Sequence, residues 1–328
     1  FEPRSAAIVT ALTGLGTLAL PYATVLANHV PAGAAALAGC FHLVRSRATG
    51  SATHGALGAL FVTLAYAFDA SMVVLALGVL VLLWGAPPRS WLTVAAVAAP
   101  VIAAQLAYNA AASNGIGPPA INQASWSDPS SPFYRRDASL FWFASPAEYV
   151  RYAVYLLVGD SGLIPYTPLT LLCAYGLGRM WKASASARRL ALAVLSTCVA
   201  YFGLMVAFTH DYSPQNYGER RFVNILFLLA IGLGPALAGI RPGVASVAAR
   251  LAVVASIVLA MLGAIAPFGG PRGLPGAVFA AEEFGRLGQR APVQAAIDLV
   301  ALIVTIFLVL RFWSNAAAPR SDTAHRVA

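Results

Sequence analysis

Apolar residues run through this chain in long stretches at 6–20, 30–44, 55–84, about 91–109, 165–180, 190–208, 222–240, 250–267 and 296–313, parted by short polar or basic links. Such stretches read as helices that cross or enter a hydrocarbon slab. The first two fall short of the roughly 20 residues a spanning helix needs, so part of the connecting PYATVLANH must also lie at membrane depth. The run at 55–84 is interrupted by Asp69 and admits one long tilted helix or two short crossings with a break near 67–71.

Charge decides between these readings. With two crossings, thirteen of the 21 basic residues gather on one side, among them Arg45, Arg47, Arg89, Lys182, Arg188 and Arg189, against only Glu2 and Asp322. The opposite side receives the other eight basic residues together with eight acids. Basic residues concentrate on the cytoplasmic side, so the first side is inside. One crossing at 55–84 would send the RMWKASASARR cluster outside. The expectation is therefore an all-α polytopic bundle of about ten membrane segments over 1–314, with a polar, disordered cytoplasmic tail at 315–328. The long loops at 110–164, 209–221 and 268–295 then lie outside, and loops are where function concentrates.

Composition narrows the class. With 59% hydrophobic and 10% charged residues and a mean hydropathy of +0.74, the chain lies outside the soluble range. Its net charge of +9 is dispersed in small clusters between apolar runs, which argues against nucleic acid as a partner. Cys40, Cys173 and Cys198 sit inside apolar runs at unrelated spacings and read as small core residues. The chain begins with Phe1, so a longer protein with an upstream segment is expected.

Within the outer loops, SPAEYVRYAVYLLVG predicts a short helix at the interface. Ser145 caps it, Pro146 takes the first helical position, Glu148 completes a capping box and Gly159 ends it. AVFAAEEFGRL at 277–287 reads as a second such piece.

The chemistry gathers in 208–228, FTHDYSPQNYGERRFVNILFL. His210, Asp211, Tyr212, Tyr217, Glu219, Arg220 and Arg221 crowd a loop that passes directly into an apolar helix. The planar donor fork of arginine suits phosphate, so paired arginines at a membrane surface mark a place for a lipid-linked phosphate. The plainer alternative is that they snorkel and anchor the helix end. His29 shares the outer face, beside Asn28 and close to Tyr22, and can bind a polar ligand or hydrogen-bond within the interface. Asp69 reads equally as a functional charge and as the cap of a half-helix. Asp298 reads as structural, and His42 and His54 as incidental. There is no HExxH, CxxC pair, P-loop or GxSxG.

Four stretches taken together resemble a known family: GLGTLALPYATVLANHVPAG (14–33), LAYNAAASNG (106–115), GDSGLIPYTPLTLLCAYGL (159–177) and YGERRFVNILFLLA (217–230). Their order is similar to that in the C-terminal two-thirds of bacterial integral-membrane glycosyltransferases of the GT-C class, which include protein mannosyltransferases and the aminoarabinose transferase of lipid A. The resemblance implies a polyprenyl-phosphate sugar as donor, a lipid, glycan or protein as acceptor, and transfer on the outer face of the bacterial cytoplasmic membrane. It places the family's arginine on Arg220 and the preceding turn on Gly218, with Glu219 standing for a frequent proline. Arg221 replaces the usual aromatic residue and Asn224 a proline, while Tyr166 and Pro168 match the family's YTP. On this resemblance Arg220 and Arg221 bind the donor phosphate, and His29, Tyr166, His210, Asp211, Tyr217 and Glu219 line the cavity. The family's acidic loop, which supplies the general base and ligands for a metal, has no counterpart here and is expected upstream of Phe1. The base is thus unknown, a divalent metal stays open, no other cofactor is evident, and the chain alone is expected to be inactive. An O-antigen ligase or polymerase and a lipid or solute transporter are the alternatives. A ligase should carry its dominant external loop late, whereas here the longest comes midway. A transporter should bury charges along its helices, and only Asp69 and Asp298 qualify.

Overall fold

The computed structural model describes residues 3–25, 27–113, 145–208, 217–241, 243–265, 267 and 274–316. Every regular element among them is helical. In chain order these are α1 (Pro3–Leu15), α2 (Ala19–Ala23), α3 (His29–Thr49), α4 (Ala52–Phe68), a 3-10 turn (Ala70–Val74), α5 (Leu75–Leu83) and α6 (Pro88–Ser113). After residues 114–144 come α7 (Pro146–Val158), α8 (Leu163–Tyr166), α9 (Leu169–Ala183) and α10 (Ala185–Phe208). The last part holds a 3-10 turn (Arg220–Phe222), α11 (Val223–Leu229), a second 3-10 turn (Ala230–Gly232), α12 (Leu233–Gly239), α13 (Val244–Ile265), α14 (Leu274–Arg290) and α15 (Pro292–Ala316). The tail beyond 316, most of the 110–164 loop, His210 and Asp211 lie outside the described residues.

Among the described residues, five stretches are long and apolar enough to cross a membrane: 88–112, 185–208, 220–239, 244–265 and 292–311. A sixth arises if 146–166 and 169–183, bent by 95°, count as one. The expected ten crossings are therefore not reached. The apolar pieces at 5–15, 52–68 and 70–83 rise about 16 to 26 Å at helical pitch, short of a hydrocarbon core of about 30 Å. At 21 residues α3 is long enough, but its last turns carry Arg45 and Arg47.

The break inside 55–84 is real and reverses the chain. Asp69 ends α4 with extended backbone, and its carboxylate caps the following turn by accepting from Ser71 N at 3.0 Å. At the far end of the hairpin, Arg47 Nη1, near the end of α3, donates to Leu82 O of α5 at 3.1 Å. At the near end, His29, which begins α3, meets Asp69. Helix α4 thus leads from the Arg47 end to the His29 end, and 70–83 leads back. We call these the basic end and the site end.

The remaining helices pack round this hairpin. Helix α3 lies against α4 and α11, α10 lies against α5, and α9 fits between α10 and α12. Backbones come closest where α9 crosses the second 3-10 turn. A Cβ on Gly176 would run into the Gly232 carbonyl, and one on Gly232 into the Cys173 carbonyl, so only glycine permits that approach. One core centres on Tyr22, Tyr152, Tyr201 and Phe222, and a second on Leu12, Leu169, Val253 and Ile257. Helices α6 and α15 bury little or none of their apolar windows and lie at the periphery, facing outward. The three cysteines are buried and unbridged.

Both segments expected to form helices in these loops are helical. Ser145 Oγ accepts from Glu148 N at 3.4 Å and Gly159 N closes on Tyr155 O, so α7 starts and ends on the residues its sequence marks. It buries Tyr152 and Leu156 and exposes Val150, Val154 and Val158. Helix α14 packs on α13 and α15 and extends past both ends of the predicted 277–287.

Candidate functional site

At the site end, four separate pieces of chain converge: the start of α3, the tip of the α4–α5 hairpin, the outer part of α10, and the 3-10 turn leading into α11. The tip brings Asp69. Its Oδ2 accepts from His29 Nδ1 at 2.7 Å and from Asn224 Nδ2 at 2.8 Å, while Oδ1 accepts from Ser71 Oγ at 2.6 Å and Ser71 N at 3.0 Å. Burial by itself would push this carboxyl up, but the hydrogen bonds from His29, Ser71 and Asn224, with the charge of His29, outweigh it and hold the pKa at about 2. Asp69 is therefore ionised and can only accept. It follows that Nδ1 of His29 carries a proton, and that in the neutral ring Nε2 holds the lone pair. An ionised carboxylate thus fixes both the tautomer and the plane of the imidazole. Both side chains are 12% exposed, so the pair borders the surface rather than the deep interior.

Behind this pair lies a buried relay. Tyr201 OH donates to Arg221 O at 2.9 Å and accepts from Asn224 Nδ2 at 2.8 Å. Ser71 Oγ lies 3.3 Å from both Tyr201 OH and Asn224 Nδ2. Asn28 adds an amide bond to Phe68 O at 3.0 Å, so the start of α3 is pinned to the hairpin tip twice. Asn224 is wholly buried, and its Oδ1 has no hydrogen-bond partner.

The two arginines have different surroundings. Arg221 is taken up by Glu219, with Nε to Oε1 at 2.6 Å and Nη2 to Oε2 at 3.3 Å. Glu219 is 1% exposed, so this is a largely desolvated ion pair. The Arg220 side chain is half-buried and, among the described residues, makes no hydrogen bond or ion pair. It lies near enough to Tyr22 to offset in part the rise that burial imposes on that phenol. The arginine carried on the resemblance is thus the uncommitted cation of the pair.

An aromatic wall completes the arrangement. Tyr22 OH donates to Tyr217 O at 2.9 Å, and the Tyr166 and Tyr217 rings meet edge to face with centroids 4.7 Å apart. Gly218, with φ of +65°, turns the chain between Tyr217 and Glu219, and a Cβ there would stand 2.9 Å from Tyr166 Cγ. The Tyr217 hydroxyl is buried and unpaired.

Of the predicted site residues, the structure gathers His29, Tyr166, Tyr217, Glu219, Arg220 and Arg221 at this one end. His210 and Asp211 lie outside the described residues. A cavity of about 580 Å³ opens alongside, lined by Thr24, Leu262 and Ile265 and covered by Glu283, Arg286 and Arg290 of α14; His29 and Tyr166 do not line it. Among the described residues, no three His, Cys, Asp or Glu side chains come together as metal ligands. Sequence reasoning passed over Ser71 and Tyr201, and treated Asn224 only as a replaced proline. The available signal was polarity inside apolar runs, since Asn224 and Tyr201 are polar groups within stretches apolar enough to span a membrane.

In chemical terms, the site end offers an oriented imidazole, a guanidinium without an ion pair among the described residues, and aromatic faces. Comparison with protein-family models, with curated proteins and with solved structures gave no match.

Proposed function

We propose that this chain forms part of a membrane enzyme that transfers a sugar from a polyprenyl-phosphate donor to an acceptor on the extracytoplasmic face. The observation that carries the reading is Arg220: a half-buried guanidinium with no hydrogen bond or ion pair among the described residues, next to an arginine that is ion-paired. Leaving a cation partly desolvated is costly, and an anionic ligand relieves that cost.

In this reaction the acceptor hydroxyl attacks the anomeric carbon, the bond from that carbon to the phosphate oxygen breaks, and negative charge grows on the departing lipid phosphate. Arg220 stabilises that charge, as a preorganised cation does best where water is scarce. The acceptor proton passes to a general base as the new bond forms. His29, held by Asp69, presents Nε2 to a sugar hydroxyl, and Tyr166 and Tyr217 give the sugar an aromatic face. Glu219 neutralises Arg221 and so keeps the phosphate on Arg220. The site end faces outward and the basic end lies in the cytoplasm, by the distribution of arginine and lysine.

The test is binding of labelled polyprenyl phosphate to the protein in nanodiscs, followed by transfer from the labelled polyprenyl-phosphate sugar. Arg220→Ala should weaken lipid-phosphate binding by about tenfold or more, and Arg220→Lys should restore little of it, because a point charge does not reproduce the fork. Unchanged binding in both variants would make Arg220 a helix anchor and remove this reading.

A further inference from the structure

The basic end carries a second feature that the sugar-transfer reading does not use. Trp84, at the end of α5, and Trp181, near the end of α9, are 76% and 45% exposed. They flank a groove of about 540 Å³ whose walls also include Val81, Leu192, Arg188 and Arg189. Among the described residues, no acidic side chain lines it. On the other side of the α5 terminus is a smaller hollow of about 200 Å³ lined by Arg47, Arg89 and the turn at Gly85, again without an acid. Arg189 lies close enough to Arg47 to disfavour its charge. Among the described residues, the Arg188 and Arg189 side chains make no hydrogen bond or ion pair. The groove therefore combines an apolar floor, two tryptophans and uncompensated guanidinium groups.

We propose that this groove binds an anionic phospholipid of the cytoplasmic leaflet, with the phosphate between Arg188 and Arg189 and one acyl chain along Val81 and Leu192. The occupant follows from the lining. Tryptophan prefers the headgroup level, where its ring is half in hydrocarbon and its N–H is wet. Arginine without a countercharge calls for an anion, and basic pockets between helices on the cytoplasmic side suit lipid phosphates. A free phosphate ion would leave Val81, Leu192 and both indoles uncovered, whereas a diacyl lipid covers them. Trp84 and Trp181 come from different hairpins, so a bound lipid would join α5 to the α9–α10 connection.

The experiment is native mass spectrometry of the protein released from nanodiscs containing equal amounts of phosphatidylglycerol and phosphatidylcholine. The wild type should retain phosphatidylglycerol about tenfold more often, and the doubly substituted Arg188→Gln/Arg189→Gln protein should lose that preference. The control is Arg45→Gln/Arg241→Gln, which removes two charges from the same face outside the groove and should keep it. Excess inorganic phosphate should not displace the lipid. Equal retention of the two lipids by the wild type would overturn the proposal, as would an equal loss in the control, which would reduce the effect to net charge. Displacement by inorganic phosphate would likewise overturn it in favour of a simple ion site.

Discussion

Asn224 donates one amide nitrogen to Asp69 Oδ2 at 2.8 Å, although 155 residues separate them. The bond ties the start of α11 to the tip of the α4–α5 hairpin, and the same nitrogen reaches Tyr201 OH at 2.8 Å. One side chain thus links three helices at the point where the candidate site is built. Arg220 lies one helical turn before it, so the position of the unpaired guanidinium depends on this anchor.

Asn224→Ala should be destabilising by about 1–3 kcal/mol, since it strips a donor from a buried carboxylate and from a buried phenol at once. Tyr201→Phe removes the bond to Arg221 O and one acceptor for Asn224 and Ser71, and should cost about 1 kcal/mol. Thermal unfolding in detergent ranks the two, and an Asn224→Ala protein as stable as the wild type would show that the relay adds nothing to the fold.

Glu219→Gln tests the ion pair from its other side. The substitution keeps shape and an acceptor oxygen but removes the carboxylate charge that faces Arg221 Nε and Nη2, and should cost about 1.5–3 kcal/mol, the range for hydrogen bonds to charged groups. The same change removes a negative charge from beside Arg220 and Arg221. Binding of polyprenyl phosphate should then become tighter rather than weaker, and a fall in affinity would contradict the division of labour between Arg220 and Arg221.

The Asp69 carboxyl gives a pH dependence with a defined sign. Its pKa falls from about 3.9 in an unfolded chain to about 2 in the fold. A depressed carboxyl stabilises the fold fully above its unfolded value, and that contribution is lost as pH falls towards the folded value. The stability difference between wild type and Asp69→Asn should therefore stay flat from neutrality to about pH 4 and shrink between about pH 4 and 2. Chemical denaturation at a series of pH values measures it, and a difference that already shrinks between pH 7 and 5 would assign the titration to another group.

Gly218 is strained for any other residue, with φ of +65° and Tyr166 Cγ 2.9 Å from where a Cβ would be. Gly218→Ala should cost about 1–2 kcal/mol through the backbone alone, and more through the contact. Adding Tyr166→Ala should recover only the contact part. A full recovery in the double variant would mean that the backbone conformation carries no penalty there.

Much of the fold was legible from local pattern. Ser145, Pro146, Glu148 and Gly159 mark both ends of α7, because caps and helix breakers act within a few residues of where they stand. Asp69 marks the hairpin turn, because a carboxylate in an apolar run must either cap or pair. The crossing count was less legible, since an apolar run announces helix without fixing how much of it reaches the hydrocarbon thickness. The site was legible as a list of residue types and not as a set of pairs. Nothing in the spacing of His29, Asp69, Tyr201 and Asn224 tells that they meet, because contacts between helices are set by packing over the whole bundle. The different fates of Arg220 and Arg221 were equally hidden, since adjacent residues on a 3-10 turn point about a third of a turn apart.

The reversal at Asp69 also orders the events of synthesis. His29 and Ser71 are made close in time to Asp69, so the carboxylate meets two of its donors while the hairpin is still the newest part of the chain. Asn224 and Tyr201 emerge much later. The polar tip can therefore enter the bilayer already partly neutralised, and the last helices to arrive lock a turn that their predecessors have formed.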